Sequence, residues 1–332
     1  QERPSILGGD GSSGSPATGW PRADRAAIQS LPYIGPGQVA WFRFTVKAPA
    51  TPGTYRLWLR PVVEGRQWLG EAVEWSVTVK TGDERPPPPQ ATPPARTYLP
   101  AYSGGVRSIR VNALLYHYVD AVPDRSDAFR VDLTTSPADF EEQLVYLKAH
   151  GYTPVTTSEI WWTLDQGGAL PSKPVNISFD DGYISQYEHA YRLLREHGMT
   201  ATFYVTANLV GREGYITLAM LREMAAGGMD IQSHAVDHVS LAGVAPDAQR
   251  YQACAARRIL SEWIGKDVRH FAYPAGGYDA SAFDALASCG YLSAYWTAGG
   301  SLQRSDRMLL LSRERVRGLA RGAAALLVPL SR

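Results

Sequence analysis

The sequence predicts an α/β fold preceded by a smaller all-β unit, and three observations carry that expectation. A proline-rich stretch at 81–105 divides the 332 residues. Before it, apolar side chains recur with a period of two; after it, short apolar runs alternate with helical patterns. The expected organisation is therefore a β-sandwich over 1–80, a linker over 81–105 and a larger domain over 106–332.

Composition narrows the class. A hydrophobic fraction of 45% with 20% charged residues is that of a globular protein, and a net charge of +1 supplies no field to attract nucleic acid. Arginines after residue 303 are interleaved with apolar residues, as on the solvated face of a terminal strand and helix. No apolar run reaches the roughly 18–20 residues of a membrane span; 319–330 is short and broken by Arg321 and Pro329. A start at Gln1, with neither Met nor a basic-then-apolar leader, reads as a processed or trimmed product. Cys254 and Cys289 are too few for a disulfide framework; they read as buried free thiols, with one bridge between neighbouring helices as the alternative in an oxidising compartment.

The linker contains Pro86 to Pro89 as an unbroken run and then Pro93-Pro94, which favours an extended polyproline spacer. Upstream, Phe42, Phe44 and Val46, then Tyr55, Leu57 and Leu59, then Val73, Trp75, Val77 and Val79 mark half-buried strands. Turn signals at Gly35-Pro36-Gly37 and Pro52-Gly53 separate them. Residues 1–19, rich in Gly and Ser, are expected to be poorly ordered.

Downstream, strands are expected at 112–116, 175–179, 201–205, 229–232, 271–273 and 292–296. Ser136-Pro137 reads as a cap and first-turn proline ahead of Phe140, Leu144 and Leu147 on one helical face, with Gly151 beyond its end. Asp279 similarly precedes Phe283 and Leu286, stopped by Gly290. This alternation predicts parallel strands with helices outside, as a barrel or an open sheet, with chemistry at the carboxyl ends of the strands.

Two constellations fall at such ends. The run Asn176-Ile177-Ser178-Phe179 leads directly into Asp180-Asp181-Gly182-Tyr183, placing two carboxylates side by side. Like charges so close need positive charge beside them, although Asp-Asp-Gly also suits a polar turn. Next, 229–232 leads into Ser233-His234-Ala235-Val236-Asp237-His238. Histidines four apart on one helical turn can converge on one ion, although an isolated pair reads equally well as one core and one surface residue. A two-His, one-carboxylate set leaves coordination positions open and the second carboxylate free for proton transfer.

These residues carry a resemblance. Ser178-Phe179-Asp180-Asp181-Gly182 followed by Ser233-His234-Ala235-Val236-Asp237-His238 is similar to the first two motifs of the polysaccharide deacetylases, carbohydrate esterase family four. Phe271-Ala272-Tyr273-Pro274-Ala275-Gly276 resembles the third motif, and Leu114-Leu115-Tyr116-His117-Tyr118 the opening strand of a secreted branch. The resemblance implies a distorted (β/α) barrel with fewer than eight strands. It further implies a metal-dependent hydrolase removing acetyl groups from an N-acetylated, or O-acetylated, polysaccharide at the cell surface or outside the cell. Asp181, His234 and His238 would hold a divalent cation, Zn²⁺ first among Co, Ni, Mn and Fe; Asp180 would be the general base; the Ala275 N–H would face the oxyanion. The segment around Pro52-Gly53-Thr54-Tyr55-Arg56 resembles Ig-like modules appended to bacterial surface enzymes, which would contact cell-surface glycan or protein.

Two departures stand out. Ala272 occupies the place where many members have a base-orienting Arg, and 311–316 lacks the histidine that often serves as acid. Arg313 or Arg315 is the candidate for charge support of Asp180; Asp237 and His117 are the nearest substitutes for the acid, and His117 is also expected to line the site. Tyr183 and Tyr278 adjoin the motifs as candidate sugar contacts, ahead of Tyr215 and Trp296, whereas Trp161-Trp162 is expected to pack on a helix outside the barrel. The rival readings are a non-catalytic glycan-binding protein on the same scaffold and a hydrolase of small amides.

Overall fold

The computed structural model describes residues 5–8, 25–28, 51–63, 67–68, 73–79, 105–122, 124–318, 322–326 and 329–330. The chain separates into two units, Gln1–Pro87 and Pro88–Arg332. In the first, Gly53–Val63 pairs antiparallel with Val73–Val79 over seven residue pairs, from Gly53 opposite Val79 to Leu59 opposite Val73. The other edge of Gly53–Val63 receives Ser5–Gly8, which pairs in turn with Arg25–Ile28. In Ser5–Gly8, Ile6 and Leu7 lie in ladder register with Val62 and Pro61; the rest of 1–19, expected to be poorly ordered, lies outside the described residues. The expected strand at 42–46 and the proline run lie outside the described residues.

The second unit is a nearly closed parallel (β/α) barrel. Its strands are β1 (Asn112–Tyr116), β2 (Pro174–Asp181), β3 (Thr202–Val205), β4 (Asp230–Ser233), β5 (His270–Ala272), β6 (Ser293–Trp296), β7 (Leu311–Ser312) and β8 (Glu314–Arg315). Their order is β7-β6-β5-β4-β3-β2-β1-β8, every pairing parallel. The two ends of that order are joined through one residue, Arg313. Leu311-Ser312 pairs with β6 on one side and Glu314-Arg315 with β1 on the other, so a single segment closes the wall.

Alternation along β2 shows how the wall sorts its side chains. Val175, Ile177 and Phe179 pack outward with Phe140, Leu144 and Leu147 of α1 (Pro137–Ala149). Asn176, Ser178 and Asp180 alternate with them and are buried on the other face, where the barrel interior also holds Tyr204, Ala272 and Tyr295. Such double burial turns the strand sequences into near-continuous apolar runs. The expected strands consequently match the observed ones to within one or two residues at each end.

Outside lie α2 (Thr157–Gln166), α3 (Arg192–Glu196), α4 (Leu218–Ala226), α5 (Pro246–Ile264) and α6 (Ala280–Ser288). Ser136 caps α1 by accepting from Asp139 N–H, and Asp279 caps α6 by accepting from Ala282 N–H. Cys254 on α5 and Cys289 at the end of α6 form a disulfide, with Cα atoms 4.9 Å apart. This corrects the free-thiol reading: the two helices pack directly on each other, which residue spacing alone does not reveal. Among the described residues, no helix is long and apolar enough to cross a membrane.

Candidate active site

The carboxyl ends of β2, β4 and β5 converge on one mouth. Asp180 and Asp181 end β2, His234 follows β4 by one residue and Ala275 follows β5 by three. Asp181 Oδ1 lies 2.9 Å from His238 Nε2 and 3.4 Å from His234 Nε2, and the donor atoms of these three residues lie within 4.8 Å of one another. Asp180 Oδ2 is farther from His234, at 3.9 Å.

Strain marks the same place. Four of the five non-glycine residues with positive φ among the described residues are Asp181 (79°), Ala235 (66°), His238 (55°) and Ala275 (54°). Such conformations cost on the order of 1–3 kcal/mol each and persist only where the surroundings over-determine them. The surroundings here are polar braces. Gln252 of α5 accepts from the N–H groups of Val236 and Asp237 at 3.0 and 2.9 Å and donates to Asp237 Oδ2 at 2.8 Å. Asn208 donates to Asp237 Oδ1. Gln186 donates to the carbonyls of Asp180 and His117, at 2.5 and 2.8 Å, tying β2 to the residue that follows β1.

The electrostatics divide the two carboxylates. Asp180 is met by the Arg313 guanidinium in a two-pronged pair, Nη1 to Oδ1 at 2.6 Å and Nη2 to Oδ2 at 2.8 Å, with side-chain exposures of 0% and 4%. Burial pushes the Asp180 carboxyl up, but Arg313, then His234, bring it below its ordinary range. Arg313 reaches it from the closing segment, its guanidinium 4.9 Å from the centre of the Tyr204 ring. Arg315 turns elsewhere, 3.6 Å from Asp132, so only one of the two candidate arginines meets Asp180.

Burial likewise works to raise Asp181, yet the imidazoles of His234 and His238 hold it well below the carboxylate range. His234 Nδ1 lies 2.8 Å from the Ala272 carbonyl. That contact makes Nδ1 the protonated nitrogen and leaves Nε2 with its lone pair turned toward Asp181. Asp181 Oδ1 is buried and has no partner of hydrogen-bond geometry. His234 Nε2 faces that oxygen across 3.4 Å and His238 Nε2 across 2.9 Å, neither with hydrogen-bond geometry. This donor set fits a shared divalent cation, with the Ala272 carbonyl orienting His234.

His117 faces both carboxylates; burial lowers its imidazole against their upward pull, and Nδ1 has no partner. Asp237, considered above as an acid, is exposed but has both carboxylate oxygens engaged by Asn208 and Gln252, which makes it a brace of the 234–238 turn. Tyr183 stacks between Tyr118 (3.7 Å) and Tyr215 (5.1 Å), and Arg130 lies 3.1 Å over the Tyr118 ring. Tyr278 packs among Tyr273, Phe283 and Trp296. Gln186 and Gln252 escaped the sequence reading, and Tyr118 entered it only as part of the opening strand. The one signal available was a polar residue, Gln252, on the buried face of α5.

Comparison with known proteins agrees with this geometry. The polysaccharide deacetylase family profile matches residues 167–294. The Bacillus subtilis protein YxkH, whose name assigns it to the polysaccharide deacetylases, is 30% identical over 203 residues, covering 61% of this chain and 70% of its own. A Staphylococcus aureus poly-β-1,6-N-acetyl-D-glucosamine N-deacetylase is 31% identical over 110 residues, 31% of this chain and 38% of that protein. Among solved structures, the deacetylase PplD of Streptococcus pyogenes, in complex with acetate, superposes with a TM-score of 0.62 at 25% identity, over 68% of this chain and 99% of that one. IcaB from Ammonifex degensii superposes with a TM-score of 0.56 at 26% identity, over 62% and 91%. The chain belongs to the polysaccharide deacetylase family.

Proposed function

We propose that the chain is a metal-dependent hydrolase that removes N-acetyl groups from a polysaccharide outside the cell or at its surface. The observation that carries the reading is the division between adjacent carboxylates: Asp181 grouped with His234 and His238, Asp180 held apart and ionised by Arg313. Asp181, His234 and His238 would hold the divalent cation, Zn²⁺ in the first instance. When bound, such a cation polarises the acyl carbonyl and lowers the pKa of water.

Asp180 then accepts the proton of the attacking water. The water oxygen bonds to the acetyl carbon, the C–N bond breaks, and Asp180 passes its proton to the departing nitrogen, giving acetate and an amino sugar. Arg313 keeps Asp180 ionised until the attack and aimed throughout. His117, kept neutral by its burial, lines the acyl pocket, and the Ala275 N–H faces the oxyanion. Tyr183 and Tyr278 contact the sugar.

The S. aureus relative is named for poly-β-1,6-N-acetyl-D-glucosamine, which supports an N-acetylated glycan as substrate. The Cys254–Cys289 disulfide supports an oxidising compartment. The N-terminal unit is read as an Ig-like β-sandwich that contacts surface glycan or protein, joined by the proline spacer. A non-catalytic glycan binder is disfavoured by the complete set of Asp180, Asp181, His234 and His238. The test is acetate release from an N-acetylated oligosaccharide, with and without chelator. Asp180→Asn is expected to abolish release while metal content stays at the parent level. Release that survives either treatment would overturn the proposal.

A further inference from the structure

The opposite end of the barrel holds a depression of about 480 Å³ that the hydrolytic chemistry does not use. Its walls are the first turns of α2, carrying Ser158, Trp161 and Trp162, and the amino ends of β5 and β6, carrying Asp267, Arg269 and Leu292. Asp180, Asp181 and His234 sit at the carboxyl ends of their strands, so the barrel wall separates the two places. The volume falls within the roughly 300–1,000 Å³ of small-molecule sites.

The lining has a mixed chemistry. Trp161 and Trp162 are half-buried, neither packed away like core residues nor free of the wall. The Trp161 ring is 6.1 Å from that of His270, which is itself buried and bonded to Ser293 Oγ at 2.8 Å, so the indole has a fixed support. Arg269 is 47% exposed and touches Asp267 Oδ2 through Nε alone; its two terminal nitrogens have no protein partner among the described residues. Asp267 is also held by Arg257 at 2.7 Å. With Glu159 on the same wall, the lining carries two carboxylates and one arginine, Arg257 meeting Asp267 from outside the lining, so the depression offers an anion no excess of positive charge.

An apolar ring face beside a fork of donors and carboxylate acceptors, with no excess of positive charge, matches a pyranose better than an anion or a fatty chain. A pyranose offers one C–H face to an indole and equatorial hydroxyls to planar polar groups. We propose that this depression is a second carbohydrate site, taking one or two sugar units of a neutral glycan chain and tethering the polymer while the distant mouth works on it. The ligand class rests on the deacetylase reading; the location does not.

The experiment uses the full chain carrying Asp180→Asn, so that binding is read without turnover. Retention on insoluble chitin and on poly-β-1,6-N-acetylglucosamine is measured by co-sedimentation, alone and with Trp161→Ala or Arg269→Ala added. Each addition is expected to weaken retention roughly tenfold. In the active background, the same two substitutions are expected to leave acetate release from a soluble tetramer unchanged and to slow release from the insoluble polymers. Undiminished retention with both substitutions, or no retention by the parent, would overturn the proposal. So would equal losses on tetramer and polymer, because those report a damaged fold. Arg269→Ala removes an exposed side chain and keeps the test sound should Trp161→Ala fail to fold. A parent that binds glycan but releases no acetate counts against the hydrolase reading alone.

Discussion

Replacing Arg313 with methionine removes the one cation that meets Asp180 while keeping most of the side-chain volume. The pair is sealed, with exposures of 0% and 4% and contacts of 2.6 and 2.8 Å, so solvent cannot take over the lost partner. Breaking a buried pair from one side costs about 3–5 kcal/mol, against roughly 1 kcal/mol or less for a surface pair. The backbone bonds of residue 313, to the Trp296 carbonyl and from Gly299 N–H, survive the substitution, so the loss is electrostatic. In the parent, Asp180 is depressed below its unfolded value. Its contribution is therefore present above the unfolded pKa and lost as pH falls through the folded one. Without Arg313, burial acts with much less opposition and pushes the carboxyl up, which reverses that slope; the deficit of the variant should narrow as the solution is acidified. Urea unfolding of full-length parent, Arg313→Met, Asp180→Asn and the double variant, all metal-free, measures this. Adding Asp180→Asn to Arg313→Met should recover at least half of the loss, because no charge is then stranded. A cost below about 1 kcal/mol, or a double variant as unstable as Arg313→Met alone, would refute the reasoning.

Three further outcomes are expected. Arg315→Ala should cost about 1 kcal/mol or less and leave kcat at the parent value, since that guanidinium faces Asp132 at 3.6 Å; a kcat collapse would move the supporting charge to Arg315. Contact with Asp181 raises the His238 imidazole against its burial, so protons compete with the cation. Affinity measured by chelator competition should therefore climb from about pH 6 to 8, and a flat profile would remove His238 from the ligand set. Cys254→Ser with Cys289→Ser opens a loop with a sequence separation of 35, which by chain entropy costs about 4 kcal/mol; equal unfolding midpoints for oxidised and reduced parent would contradict this.

The barrel strands were legible because they are buried on both faces and so spell short apolar runs bounded by turns. The carboxylates and histidines were legible because each follows such a run directly, and the end of a parallel strand is a known place in space. The choice between Arg313 and Arg315 was not. Both have the same parity, so a continuous strand would send both to one face. The segment instead changes its pairing partner at residue 313, from β6 to β1, and that switch turns one arginine inward and the other toward Asp132. Gln186 and Gln252 were hidden for a related reason: they bond backbone groups 69 and 16 residues away, which leave no trace in local periodicity. The disulfide depended on which helices lie side by side, a tertiary fact.

The residue that closes the wall is also the one that meets Asp180. A nascent chain that has already laid down Asp180, Asp181, His234 and His238 still lacks this counter-ion until the segment around Arg313 docks between its first and sixth strands. On the proposed function, catalytic readiness is thereby tied to completion of the barrel, and partly folded or prematurely stopped chains would carry the motifs in silence.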